Sequence, residues 1–174
     1  MEEKGLVIVN TGNGKGKTTA ALGLALRAWG DGLKVLILQF IKGTWKCGEL
    51  KALQQLGPGI EIRQCGKGFT WQHQEEEDDR RCAQETINRA EAEMLSGNWD
   101  MIILDEVNYA VKADLVDEEQ VLALIDNKPS QMHLVLTGRD VRESIVAKAD
   151  MVTEMRLIKH HFQQGVQAQK GIEF

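Results

Sequence analysis

The chain has 174 residues, enough for one domain that buries a sizeable core of its own. With 43% hydrophobic and 27% charged residues its make-up is that of a globular domain, and a net charge of −5 argues against a nucleic-acid-binding surface as its main business. No apolar run approaches the ~20 residues of a membrane span, and the acidic start Glu2-Glu3 is not a signal-peptide layout, so neither membrane nor export is expected.

In chain order, Leu6 to Asn10 is expected to be a buried strand. The run behind it, Thr11-Gly12-Asn13-Gly14-Lys15-Gly16-Lys17-Thr18-Thr19, has the layout of a triphosphate cradle. Its glycines let the backbone curl with N–H groups turned inward, and the helix start that follows adds a positive dipole end. Lys17 would reach the phosphates and Thr18 would offer its hydroxyl to magnesium. A strict G-x-x-x-x-G-K-[ST] run would need glycine at position 11, where this chain has Thr11. A helix is expected from Thr18 to Trp29, then a strand from Lys34 to Ile41, a helix from Glu49 to Leu56 and a strand from Ile60 to Cys65. Further on come a helix from Glu75 to Leu95, a strand from Met101 to Asp105 and a helix from Asp117 to Asp126. A strand from His133 to Thr137, a helix from Arg142 to Lys148 and a strand from Met151 to Leu157 complete the series. Gly30, Gly57 and Gly97 stand where helix C-caps are wanted. The alternation predicts an α/β fold, a mainly parallel sheet with helices on both faces. Its ligand crevice would lie beyond the carboxyl ends of the strands, among the loops 11–17, 42–48, 66–74, 106–116 and 138–141.

Three of those loops carry further chemistry. Met101-Ile102-Ile103-Leu104-Asp105-Glu106 resembles a Walker B segment, an apolar strand delivering two carboxylates that could hold magnesium with Thr18. Leu136-Thr137-Gly138-Arg139 places Arg139 at another strand end, as a phosphate contact or a surface ion pair. In Gly66-Lys67-Gly68-Phe69-Thr70-Trp71-Gln72-His73-Gln74 two large aromatics stand among glycines, to meet a planar ligand, to act as a wedge or simply to pack the loop. The acidic run Glu75 to Asp79 reads as a solvated helix start. His160 and His161 are adjacent, so in regular structure their side chains diverge and a shared zinc ion is not expected. Cys47, Cys65 and Cys82 are odd in number and form no C-x-x-C pair, which predicts neither a disulfide framework nor a cysteine zinc site and suits a reducing cytoplasm.

Taken together these blocks resemble the ATP:corrinoid adenosyltransferases of the CobA/CobO/BtuR type. The resemblance is carried by residues 11–21, by Gln39-Phe40-Ile41-Lys42-Gly43, Gly68-Phe69-Thr70-Trp71 and Leu104-Asp105-Glu106, and by the tail from Glu154 to Glu173. It implies a single P-loop (RecA-like) domain over residues 1–174 that transfers the 5′-deoxyadenosyl group of ATP to the cobalt(I) of a corrinoid and releases triphosphate. It also implies nucleotide contacts from Gly12, Asn13, Gly14, Lys15, Gly16, Lys17, Thr18, Thr19 and Arg27, and magnesium on Thr18 and Glu106. Phe69 and Trp71 match the aromatics that, in the family, displace the lower axial ligand of cobalt(II). A homodimer served by a flavoprotein reductase is implied as well. Family members commonly have a longer segment before the first strand, where five residues stand here, and a small hydroxyl residue is expected at the position of His73.

Overall fold

The computed structural model describes residues 4–41, 48–64 and 75–173. Six strands form one sheet: β1 (Val7–Thr11), β2 (Val35–Gln39), β3 (Ile60–Gln64), β4 (Met101–Asp105), β5 (His133–Thr137) and β6 (Met151–Glu154). The helices between them are α1 (Lys17–Gly30), α2 (Gly48–Leu56), α3 (Glu75–Leu95), α4 (Val107–Lys112), α5 (Glu118–Asn127) and α6 (Glu143–Lys148), and a 3-10 turn spans His161–Gln164. The strand order is β3-β2-β4-β5-β1-β6, and every pairing is parallel.

Residues alternate sides along a strand, and that alternation sorts the core into two layers. Ile8, Val35, Ile37, Met101, Ile103 and Val135 face one layer, where Ala21, Ala25 and Ala28 of α1 and Leu53 of α2 cover them. The small alanine face of α1 lets that helix lie close to the sheet. Val7, Val9, Leu36, Leu38, Ile102, Leu104, Leu134 and Leu136 face the other layer, covered by α3, α4, α5 and α6. Helices on both faces explain why the strands read as continuous apolar runs.

Some boundaries differ from expectation for local reasons. β6 stops at Glu154 because the next two residues cross onto the phosphate loop, where the Met155 carbonyl accepts from Gly14 N–H at 2.6 Å. Gly30 is the last residue of α1 and is not its left-handed cap; the positive φ falls at Gly32. Asp117 and Arg142 are N-caps, with helix beginning one residue later. The segment 106–116, expected as a loop, contains α4, a helix of six residues that is too short to show periodicity. Cys82, on α3, is disulfide-bonded, a bridge that the cysteine spacing does not announce. Spacing along a chain does not bound the distance between sulfurs once the chain is folded. Among the described residues no helix is long and apolar enough to cross a membrane.

Candidate active site

β1 runs out at Thr11, and the phosphate loop begins only at Gly12. Thr11 is the last strand residue, its carbonyl accepting from Met155 N–H at 2.8 Å. A strand position needs no glycine, which accounts for the threonine there. Gly12 has φ +97°, and a Cβ on it would lie 2.5 Å from the Met155 carbonyl oxygen. At Gly14 a Cβ would lie 2.8 Å from the backbone of Arg156. The glycines are thus demanded by the chain leaving β6 as well as by any ligand.

Gly16, at φ +110°, is the N-cap of α1 and brings no side chain to the helix start, whose first turn holds no acid. The first intrahelical bond runs from Ala20 N–H to the Gly16 carbonyl. The amides of Lys17, Thr18 and Thr19 are therefore left to an external anion, at the positive end of a helix of 14 residues. Lys17 is 7% exposed, and its Nζ donates to the carbonyls of Gly12 at 2.8 Å and Gly14 at 2.7 Å. Burial pulls its pKa below the usual lysine value; Glu106 opposes that pull and the Arg139 guanidinium adds to it.

Behind the helix start lies a buried polar network. Thr18 Oγ1 donates to Asp105 Oδ1 at 2.8 Å, and Thr137 Oγ1 donates to the same oxygen at 2.7 Å. Gln39 Nε2 donates to Asp105 Oδ2 at 3.0 Å, and Gln39 in turn accepts from Gln64 Nε2 at 2.8 Å. Thr137 also accepts from the Glu106 N–H at 2.9 Å, which ties the next residue down. Glu106 itself sits at φ 64°, a left-handed conformation that costs a non-glycine residue about 1–2 kcal/mol and that turns the chain from β4 into α4. Gly138 makes room for that turn: at φ +130°, a Cβ on it would lie 2.8 Å from Tyr109 N.

These elements enclose a cleft of about 500 Å³ over the phosphate loop. Gly14, Lys15, Gly16, Lys17, Thr18 and Thr19 line one side; Glu106, Arg139, the α2 start at Gly48 and Glu49, and the tail residues Gly171, Ile172 and Glu173 complete it. Lys15 forms an ion pair with Glu173, and this hydrogen bond holds the Glu173 carboxyl below the usual carboxylate pKa.

Of the residues expected from the sequence, the structure brings Gly14 through Thr19, Glu106 and Arg139 to one cleft. Gly12 shapes the loop from behind, and Asn13 is exposed on it. Arg27 is not among the residues lining the cleft; it is exposed in the last turn of α1, ten residues beyond Lys17 and so about 15 Å along the helix axis. Phe69 and Trp71, with the rest of 65–74, lie outside the described residues. The sequence pairs Asp105 with Glu106 and assigns magnesium to Thr18 and Glu106. Buried Asp105 grips Thr18, whereas Glu106 faces the cleft. The Lys15–Glu173 pair was missed, because no local pattern links positions so far apart.

Comparison with known proteins places the fold and the family. Solved structures show the fold: a KaiC-like protein from Pyrococcus horikoshii OT3 superposes with TM-score 0.55 at 16% identity, covering 90% of this chain and 75% of that one. The flagellar accessory protein FlaH from Methanocaldococcus jannaschii gives TM-score 0.52 at 13% identity, covering 87% and 71%. The sequence is 43% identical over 174 residues to the corrinoid adenosyltransferase of Escherichia coli (strain K12), covering 100% of this chain and 88% of that protein. It is 41% identical over 174 residues to the corrinoid adenosyltransferase CobA of Salmonella typhimurium (strain LT2), again 100% and 88%. The family model for ATP:corrinoid adenosyltransferase BtuR/CobO/CobP matches residues 3–174, and the chain belongs to that family.

Proposed function

We propose that this chain transfers the 5′-deoxyadenosyl group of ATP to the cobalt(I) of a corrinoid and releases triphosphate. One observation carries the reading: in a chain of the ATP:corrinoid adenosyltransferase family, the open start of α1, Lys17, Thr18, Glu106 and Arg139 converge on one cleft as a triphosphate cradle. In the proposed reaction the attacking electron pair comes from the substrate cobalt. A cobalt–carbon bond forms at C5′ as the C5′–O bond breaks, and triphosphate leaves with the bonding electrons. Charge gathers on that leaving group, where the free amides of the first turn of α1, Lys17 and Arg139 stabilise it.

The Thr18 hydroxyl and the Glu106 carboxylate, with Asp105 orienting Thr18, make an all-oxygen donor set that suits magnesium. Bound there, the ion would neutralise triphosphate charge. Phe69 and Trp71 are the residues we assign, on family resemblance, to removing the lower axial ligand of cobalt(II), with a flavoprotein reductase as electron donor and a homodimer as the working form in the cytoplasm. The test is incubation with ATP, magnesium and chemically reduced cobalamin, followed by the visible spectrum and phosphate analysis. Triphosphate in one-to-one proportion with adenosylated corrinoid is expected. Stoichiometric ADP would point to phosphoryl transfer, and intact ATP to a binding module; either result would overturn the reading.

A further inference from the structure

The histidine pair near the end of the chain has no part in the chemistry described so far. His160 is extended, at φ −135° and ψ 135°, while His161 opens the 3-10 turn. This break in regular structure cancels the divergence expected of neighbouring side chains. The two rings stack with centroids 4.5 Å apart and 25° between their planes. Nε2 of His161 lies 3.5 Å from Oε1 of Glu173, a buried oxygen that has no hydrogen-bond partner. Taking one ligand atom from each residue, His160, His161 and Glu173 lie within 4.8 Å of one another. Ligands held about 2.1 Å from a tetrahedral ion stand roughly 3.4 Å apart, so modest side-chain rotation would close the set around one.

We propose that His160, His161 and Glu173 form a site for a borderline divalent transition ion, zinc(II) above all, that fastens the tail beside the phosphate loop. Two imidazoles and one carboxylate suit zinc and discriminate against magnesium, which prefers oxygen alone. The site is therefore chemically distinct from the all-oxygen set around Thr18. His160 Nδ1 accepts from Phe162 N–H at 3.2 Å, and ligation through Nε2 would move the ring proton to Nδ1 and give up that long contact. The second oxygen of Glu173 is the one paired with Lys15, so the carboxylate would bridge the ion and the phosphate loop. None of this depends on the adenosyl-transfer reading.

The experiment titrates zinc into the full chain after chelator treatment, with magnesium in excess to occupy the oxygen site, and follows it by calorimetry and thermal melting. Cobalt(II), added without corrinoid, serves as a spectroscopic stand-in through its visible d–d bands. One saturating equivalent is expected, with a rise in melting temperature. His161→Ala and Glu173→Gln should each weaken binding by more than the ~10–100-fold that loss of an outer-shell partner costs, while circular dichroism stays that of the parent. Absence of saturable zinc binding in the parent chain would overturn the proposal. So would binding that both substitutions leave intact, which would place the ion elsewhere, on a cysteine for example.

Discussion

Thr18 Oγ1 donates to Asp105 Oδ1 at 2.8 Å, which ties the first turn of α1 to the last residue of β4. Asp105 also accepts from Thr137 and Gln39, so three donors from three different elements converge on one carboxylate that is 1% exposed. Asp105→Asn puts an N–H₂ group where only acceptors fit and strands at least one buried donor. The expected loss is about 1–3 kcal/mol of stability, read as a lower melting temperature, together with weaker magnesium dependence of the rate. An unchanged melting temperature would show that the network does not hold the site together.

Lys17→Ala removes the cation of the cradle along with its two bonds to the loop carbonyls. Turnover should fall by about 10²–10³-fold, as when a preorganised donor to a developing anion is lost, and ATP affinity should fall with it. Calorimetric titration with ATP checks the second half independently of the corrinoid. Parent-like affinity and rate together would sink the cradle assignment.

Two glycine substitutions should act in opposite directions. Gly12→Ala sets a Cβ 2.5 Å from the Met155 carbonyl oxygen at φ +97°, and about 2 kcal/mol or more of destabilisation is expected. Gly30→Ala lies in helical backbone with nothing within 4 Å of the new Cβ. It should stabilise by roughly 0.5–1 kcal/mol by restricting the unfolded chain. Thermal melts of the pair decide it; a stable Gly12→Ala protein would mean that the chain leaving β6 does not press on the loop.

Asp150 accepts from the Lys4 ammonium and from Val7 N–H at 2.9 Å, which anchors the start of β1. The Lys4 bond, then the Val7 amide, hold its carboxyl below the ordinary value of 3.8. A depressed carboxylate contributes stability that is fully present above its unfolded pKa and is lost as pH falls through the lower folded value. Asp150→Asn should therefore melt below the parent at neutral pH, with the gap closing in acid. A gap that stayed constant on acidification would assign the effect to shape and not to charge.

Trp71→Ala tests the aromatic assignment. If Trp71 acts on cobalt(II), the reductase-coupled rate should fall more than the rate with preformed cobalt(I), because the alkylation machinery around Lys17 is untouched. Equal losses in both assays, with a lower melting temperature, would identify the residue as packing.

Much of this architecture was legible because it is local. Each strand announces itself as a short apolar run, the start of α1 by the glycines before Lys17, and the carboxylates by their place directly after Met101 to Leu104. What the amino-acid order alone left open depends on which strands are neighbours. The order β3-β2-β4-β5-β1-β6 inserts β5 between the phosphate-loop strand and the carboxylate strand, and so puts Thr137 within reach of both Asp105 and Glu106. The same placement of β6 beside β1 carries Met155 onto Gly14, and the tail beyond it pairs Glu173 with Lys15. Propensity and periodicity act over a few residues, whereas these contacts join distant residues, and only burying both faces of the sheet under packed helices brings such partners together.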